Sequence, residues 1–408
     1  MKIYLVGGAV RDQLLGKTVQ DRDWVVVGGT AQDLIDRGYT QVGKDFPVFL
    51  HPETKEEYAL ARTERKSGVG YGGFEVYADP DVTLEEDLAR RDLTINAMAM
   101  DSAGKVIDPF GGMADIRDLQ LRHVRAAFSE DPLRVLRVAR FKARFHHLGF
   151  QVNSATLRLM KAISDSGELA ALAVERVWTE IRKSLMEETP SQFFLTLRAC
   201  GALSQLLPEL DNLFGVEQRK EYHPEIDAGV HTMMVVDQAA SMQTALDVRF
   251  AALVHDLGKA DTPPDVLPRH IGHEQKSVVR VRQVCERLKV PVHCRELAVL
   301  VARYHTQCHQ VLSLKARTVL KLLEAIDSFR RPARLTKFLQ ACKADALGRQ
   351  GAANETYQQL DYLSEAYRLS SQVKIASILE TGVKGAEIRQ ALQQKRIQVI
   401  AELKRYQG

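Results

Sequence analysis

Apolar positions in the first 125 or so residues come in short runs. Ile3–Val6, Trp24–Val27, Glu57–Ala61 and Phe74–Tyr77 are each bounded by Gly, Asp or Pro. Runs of that length between turn formers predict strands. The segment Ile107-Asp108-Pro109-Phe110-Gly111-Gly112 predicts a closing loop. Beyond Asp131-Pro132 the spacing of apolar residues becomes helical. Asp131 suits an N-cap and Pro132 the first helical position. Helical periodicity then continues, with short breaks, nearly to the end. The polar segment Gln218–Asp227 predicts a boundary, and Pro263-Pro264 a second break or a loop within one domain. The pattern is that of an α/β or α+β domain followed by an all-α region.

A chain of 408 residues is too long for one core and predicts two to four domains. With 26% charged and 45% hydrophobic residues, it has the composition of an ordinary soluble globular protein. The net charge of +4 (56 basic, 52 acidic) is a weak pointer to polyanions. Local charge says more: from Arg117 to Arg144 there are eight Lys/Arg against three Asp/Glu. The five cysteines lack CxxC spacing, which argues against a disulfide framework or zinc cluster and fits a reducing cytosol. Met1-Lys2-Ile3-Tyr4 leads straight into a strand pattern. With neither a signal peptide nor an apolar run of membrane length, a cytoplasmic protein without a membrane partner is expected.

Candidate chemistry begins at Gly7-Gly8-Ala9-Val10-Arg11-Asp12 and Asp21-Arg22-Asp23-Trp24. Strand side chains alternate, so two aspartates at i and i+2 entering a strand point the same way. Adjacent carboxylates repel unless a cation lies between them. Mg²⁺ suits such oxygen ligands and commonly brings a phosphate. Paired glycines let backbone N–H groups approach that phosphate. Each piece alone is common in turns. Arg90-Arg91-Asp92 and Glu130-Asp131-Pro132-Leu133-Arg134 add to them. Arg134, Arg137, Arg140 and Arg144 recur at helical spacing, with a solvated basic stripe as the competing reading. Together these residues point to metal-assisted phosphoryl or nucleotidyl transfer.

A second constellation lies further on. His231 is followed by His255-Asp256 after an apolar run, then Gly258-Lys259, His270, His273 and His305. A lone helical histidine is usually a satisfied core residue. An adjacent His-Asp with further histidines suits a divalent transition metal.

In order, the head motifs resemble those of class II tRNA nucleotidyltransferases, the bacterial CCA-adding enzymes and their poly(A) polymerase relatives. The later set resembles the HD phosphohydrolase superfamily, whose pattern is His, His-Asp and a distal Asp. The pair together is similar to the longer, multifunctional bacterial form of the family. That resemblance implies an α+β fold: a polymerase-beta-like nucleotidyltransferase head with a small mixed sheet over residues 1–140, then all-α parts. These are a neck over 141–225, an HD body over 226–330 and a tail over 331–408. It implies that Asp21 and Asp23 hold Mg²⁺ and that Gly8, Arg11, Arg91, Arg137 and Arg140 bind the nucleotide. Asp131 and Arg134 would read the base. Cytosine and adenine both pair an exocyclic amino donor with a ring-nitrogen acceptor, which a carboxylate and a guanidinium match. Uracil and guanine reverse that order and would leave charges unpaired. By the same likeness His231, His255 and Asp256 are metal ligands, with Ni²⁺ or another transition metal bound. Asp345 is the best distal ligand, and His273 and His305 are further ligands or phosphate contacts.

The function implied is template-independent addition and repair of the 3′-terminal CCA of tRNA from CTP and ATP, with diphosphate released. Phosphatase, 2′-nucleotidase and 2′,3′-cyclic phosphodiesterase activities would reside in the HD domain. The implied partners are the tRNA 3′ end, ATP and CTP, not DNA, in a monomer or weak homo-oligomer. The alternatives are a poly(A) polymerase or A-adding enzyme of the same fold, or a protein that is primarily an HD phosphohydrolase.

Overall fold

The computed structural model describes residues 1–43, 48–66, 74–379 and 382–407. The chain divides into two compact units. The first comprises Met1–Glu180 with Gln192–Leu206, and the second Ile181–Ser191 with the chain from Leu207 onward.

The first unit is built on a seven-stranded sheet. Its strands are β1 (Lys2–Val6), β2 (Asp23–Val27), β3 (Thr40–Val42), β4 (Val48–Leu50) and β5 (Glu57–Leu60), with β8 (Ala99–Met100) and β9 (Val106–Ile107). The order across the sheet is β3-β4-β5-β2-β1-β8-β9. Only β2 and β5 run parallel, so the sheet is mixed, as expected. Two further strands, β6 (Thr63–Lys66) and β7 (Phe74–Tyr77), pair as a separate ribbon. Central strands are apolar on consecutive positions because both faces are covered. Val25 joins a cluster with Val6, Leu88 and Ala99 on one face. Val26 joins Leu34, Phe49 and Tyr58 on the other.

Four boundaries differ from the sequence expectation by one residue, the first being β1, which begins at Lys2 rather than Ile3. β2 begins at Asp23, so Asp21 lies just before the strand rather than on it. The expected third strand run, Glu57–Ala61, ends at Leu60. The long basic helix begins at Leu133 rather than Pro132, yet the Asp131 side chain still accepts from the Leu133 N–H at 3.0 Å. A cap at the foot of a short first turn satisfies the same orphan donors.

The second unit is helical throughout. Helices Ala228–Ser241, Leu246–Val254, His273–Arg287, Val292–His309 and Pro332–Leu347 pack around one another. Small residues allow close approach: Ala239, Ala252 and Ala344 meet in one buried cluster with Val235. Gly348 is tighter still, since a Cβ there would lie 2.7 Å from the Val235 backbone. The 218–227 segment lies inside this unit as a loop closed by a Glu217–Asp227 bridge, and Pro263-Pro264 is also a loop within it.

Candidate active sites

The head motifs converge on one cavity of about 590 Å³, lined by every head residue expected to hold metal or nucleotide. Gly7 turns the chain from β1 into the helix Gly8–Leu14 at φ +68°, a left-handed conformation that suits glycine. A side chain at Gly7 would also place its Cβ 2.6 Å from Arg91 Nη1. Of the two glycines, Gly7 is therefore the sterically constrained one, whereas Gly8 was the expected contact. Asp21 and Asp23 open into the cavity from the start of β2. The cavity walls raise the Asp23 carboxyl, Arg91 counteracts this, and Asp21 adds a like charge.

The arginines are braced rather than loose. Arg11 is only 3% exposed: Nε and Nη2 meet Asp12 Oδ1 at 2.9 and 2.8 Å, and Nη1 donates to Asn96 Oδ1. Its guanidinium also lies over the Phe141 and Phe145 rings, 5.2 and 5.1 Å from their centroids. Asp87, fully buried, pairs with both Arg90 and Arg91, at 2.7 and 3.2 Å. Arg140 is bonded to Glu180 at 2.7 Å, and Arg144 reaches Asp12 at 3.0 Å. The solvated-stripe reading of the 133–145 helix therefore fails: Arg140 is buried, and Arg137 and Arg144 are ion-paired.

Asp131 and Arg134 both line the cavity. The Arg134 guanidinium is held by two backbone carbonyls, those of Ala127 at 3.0 Å and Arg90 at 2.7 Å. Asp131 uses Oδ1 for the helix cap and Oδ2 for Arg176, at 3.2 Å. Each carboxylate oxygen has two lone-pair directions, so capping and base contact are compatible. The sequence reading missed Arg176 and Glu180, which lie on the next helix but one and carry no motif.

In the second unit, residues far apart in sequence form one buried cluster. His231 Nδ1 faces Glu225 Oε1 at 2.7 Å, and its Nε2 faces Asp345 Oδ1 at 3.0 Å. Asp345 Oδ2 contacts His309 at 2.7 Å and lies 3.7 Å from His255 Nε2. Asp256 Oδ2 takes Lys259 Nζ at 2.6 Å and lies 3.1 Å from His255 Nε2. Asp256 Oδ1 lies 3.3 and 3.4 Å from the Nε2 atoms of His273 and His305. Asp345, expected as the distal member, is thus brought to His231, His255 and Asp256. His273 and His305 join from the Asp256 side. His270 instead bonds Thr262 and the Glu217 carbonyl. Glu225 and His309 were not anticipated. His305 and His309 are i and i+4 on one helix, a spacing that was legible.

Tautomers follow from the backbone. Nδ1 of His255, His273 and His305 lies 2.8, 2.7 and 3.0 Å from the carbonyls of Ala252, His270 and Val301. A carbonyl only accepts, so each Nδ1 carries a proton and each Nε2 turns inward. This is the arrangement that metal-ligating histidines adopt. His255 Nε2 and Asp256 Oδ1 are buried and make no aligned hydrogen bond. These orphaned atoms, aimed at a shared point, together with an imidazole–carboxylate donor set, fit a divalent transition metal. Burial alone would lower the His255 imidazole, but Asp256 and Asp345 outweigh it and push it up to about 9. Burial and Lys259 push His223 down to about 3. Glu225 falls to about 2 because bonds from His231 and backbone N–H groups outweigh burial.

Paired carboxylates at the entry of a mixed sheet, with an arginine-walled cavity, define a nucleotidyltransferase head, and the inward-turned His/Asp cluster defines an HD domain. Family models match in the same places. The poly A polymerase head domain covers residues 3–122, the probable RNA and SrmB-binding site of polymerase A covers 149–214, and the HD domain covers 229–329. The chain is 56% identical over 404 residues to the multifunctional CCA protein of Acinetobacter baumannii, covering 99% of this chain and 98% of the relative. It is equally similar to that of Thioalkalivibrio sulfidiphilus, with 99% of both chains covered. The chain belongs to the multifunctional CCA protein family, CCA-adding nucleotidyltransferases that carry an HD domain.

Solved CCA-adding enzymes share the fold. One in complex with ATP gives a TM-score of 0.66 at 20% identity, over 98% of this chain and 87% of that one. The Thermotoga maritima enzyme complexed with tRNA gives 0.63 at 19%, over 100% and 92%. None of the helices among the described residues is long and apolar enough to cross a membrane, and all five cysteines are free and buried.

Proposed function

We propose that the head cavity adds CMP, CMP and AMP in turn to the 3′ end of tRNA, using CTP and ATP. The observation that carries this reading is the single cavity shared by Asp21, Asp23, Asp131 and Arg134. It is supported by the 56% identity over nearly the whole chain to relatives named for this reaction. The primer 3′-hydroxyl gives up its proton to solvent, its oxygen forms a bond to the α-phosphorus, the bond from the α-phosphorus to the α–β bridging oxygen breaks, and diphosphate leaves. Asp21 and Asp23 would hold Mg²⁺, which would acidify the primer hydroxyl and offset triphosphate charge. Gly8, Arg11, Arg91, Arg137 and Arg140 receive the nucleotide. Asp131 accepts from the exocyclic amino group and Arg134 donates to the ring nitrogen of C or A. On this reading residues 1–140 form the head, 141–225 the neck, 226–330 the HD body and 331–408 the tail, and the protein works in the cytoplasm.

A second reading is favoured for the HD unit by the orphaned His255 Nε2 and Asp256 Oδ1. His231, His255, Asp256 and Asp345 hold a transition metal such as Ni²⁺, with His273 and His305 beside it. When bound, the metal supplies an activated water and polarises a phosphate ester. The substrates are phosphomonoesters, 2′-nucleotides and 2′,3′-cyclic phosphates. Such groups block a tRNA 3′ end, so their removal readies it for the head.

The test is incubation with Mg²⁺ and a tRNA lacking its terminal CCA, with each NTP alone and then together. Incorporation of C, C and A that stops at three is expected. A long A tail would move the protein to the poly(A) polymerase reading. No incorporation would leave the HD unit as the main activity.

A further inference from the structure

The second unit contains a cavity of about 800 Å³ that opens onto the His/Asp cluster. Its wall holds two buried donors with no acceptor, Gln218 Nε2 and Arg349 Nε. Both belong to side chains that the motifs left unassigned.

The direction of Gln218 is fixed by chemistry. The residue is 2% exposed, and its side-chain oxygen accepts from Lys259 Nζ. An ammonium can only donate, so the amide atom it meets is the oxygen and the amide nitrogen faces the other way. The same ammonium contacts Asp256 Oδ2 at 2.6 Å. Lys259 thus ties Gln218 directly to a residue of the metal cluster.

Arg349 is fixed by the fold. It follows Asp345 by four residues, just past the end of the Pro332–Leu347 helix. Gly348 lets that helix end lie against Val235. The next residue, Gln350, gives its backbone N–H to Glu225 Oε2 at 3.2 Å, while Glu225 Oε1 faces His231. The chain on both sides of Arg349 is therefore anchored to the cluster. A guanidinium stays charged and has no acceptor capacity.

Buried donors are almost always satisfied in a folded protein. Two that are not, on residues lining one cavity, with the Lys259 ammonium beside Gln218, call for a ligand rich in acceptors.

We propose that Gln218 and Arg349 form a phosphate-binding subsite of the HD cavity, which receives the non-bridging oxygens of a ribonucleotide 2′-phosphate or 2′,3′-cyclic phosphate. This rests on the phosphohydrolase reading of the HD unit. It adds the groups that hold the ester while the metal cluster acts on it. The subsite is cationic and amide-lined, so it selects a terminal phosphate over a neutral ribose end.

The test uses the full-length, Ni²⁺-loaded chain and its Arg349→Gln, Arg349→Lys and Gln218→Leu variants. Inorganic phosphate binding is followed by titration calorimetry, metal content by elemental analysis, and hydrolysis with 2′-AMP and 2′,3′-cyclic AMP. Arg349→Gln should weaken phosphate binding about tenfold. It should raise KM for both esters by a similar factor, more than it lowers kcat, with metal content held. Gln218→Leu should do the same to a smaller degree. Arg349→Lys, which keeps the charge and removes a barely changed volume, should recover part of the loss. Nucleotide incorporation by the head serves as the folding control. Phosphate affinity and KM that match the unsubstituted chain in all three variants would overturn the subsite while leaving the hydrolase reading standing. If the unsubstituted chain hydrolyses neither ester, the hydrolase reading falls. Phosphate binding that weakens in Arg349→Gln would then still support an anion site, and binding that does not weaken would remove it.

Discussion

Arg137 presents Nε and Nη2 to the same oxygen of Asp92, each at 2.7 Å. The other Asp92 oxygen takes the Leu93 N–H at 2.8 Å and the Asn96 amide at 2.9 Å. Asn96 in turn accepts from Arg11. One buried carboxylate therefore joins the basic helix to the glycine turn, and the cavity wall is a network rather than a set of independent cations. With one guanidinium edge spent on Asp92, the Nη1 side of Arg137 remains for the cavity that this residue lines.

The network makes stability depend on pH. Burial would raise the Asp92 carboxyl, but Arg137, Asn96 and the Leu93 N–H outweigh it and hold it well below the usual range. A depressed folded value means that the contribution is present above the unfolded value of about 3.9 and is lost as pH falls through the folded one. Asp92→Asn should cost about 2 kcal/mol at pH 7, a figure reduced because Arg137 is partly exposed. The gap should narrow below about pH 4. Urea midpoints at pH 7 and pH 3 measure it, and an equal gap at both would contradict the assignment.

Base choice should depend on Asp131 separately from folding. Asp131→Asn keeps an oxygen for the helix cap and so should leave the melting temperature nearly unchanged. It replaces a charged acceptor by an amide, which should lower kcat/KM for CTP and ATP by about 10- to 100-fold. Arg176→Ala removes the partner of Asp131 Oδ2 and should give a smaller loss in the same direction. Single-nucleotide incorporation with all four NTPs checks both. A loss of stability without a change in preference would reduce Asp131 to a cap.

The head was more legible in the sequence than the site that it carries. Apolar runs broken by Gly and Asp located β1, β2, β5 and β7, because each is a self-contained burial pattern. Strands of two or three residues, such as β3 and β8, are shorter than any pattern can report. The aspartates and arginines of the motifs were visible as types, but their pairings were not. Asp92 meets Arg137, and Arg140 meets Glu180, only through tertiary packing. Asp345 was visible only as a candidate, since 114 residues separate it from His231 and helix packing alone brings them to 3.0 Å. Glu225, Lys259 and Gln218 belong to no periodic pattern, so their roles emerged only from the structure.

The two proposed chemistries draw on cavities with no lining residue in common, one lined by Asp21 and Asp23 and the other by Asp256 and Asp345. Substitutions should therefore separate them. Asp21→Ala should abolish nucleotide incorporation, a loss of at least about 10³-fold for removal of a metal ligand. It should leave cyclic-phosphate hydrolysis intact. His255→Ala should do the reverse. Assays of both activities on each purified variant decide it, and a folded variant that loses both would refute the two-site reading.

Metal loading of the HD cluster should release a proton. Burial alone would lower the His255 imidazole, but Asp256 and Asp345 push it up to about 9. Its Nδ1 is committed to the Ala252 carbonyl, so only Nε2 can ligate, and Nε2 must first lose its proton. A histidine with a raised value is protonated below that value, so acid opposes metal binding. Ni²⁺ affinity should fall by roughly tenfold for each pH unit below about 9, until other ligands begin to titrate. At pH 7.5 about one proton should appear per metal bound. Titrations in buffers of different ionisation enthalpy count that proton directly. Affinity that stays level from pH 6.5 to 8.5, with no buffer dependence of the heat, would mean that His255 is already neutral and that the two carboxylates do not charge it.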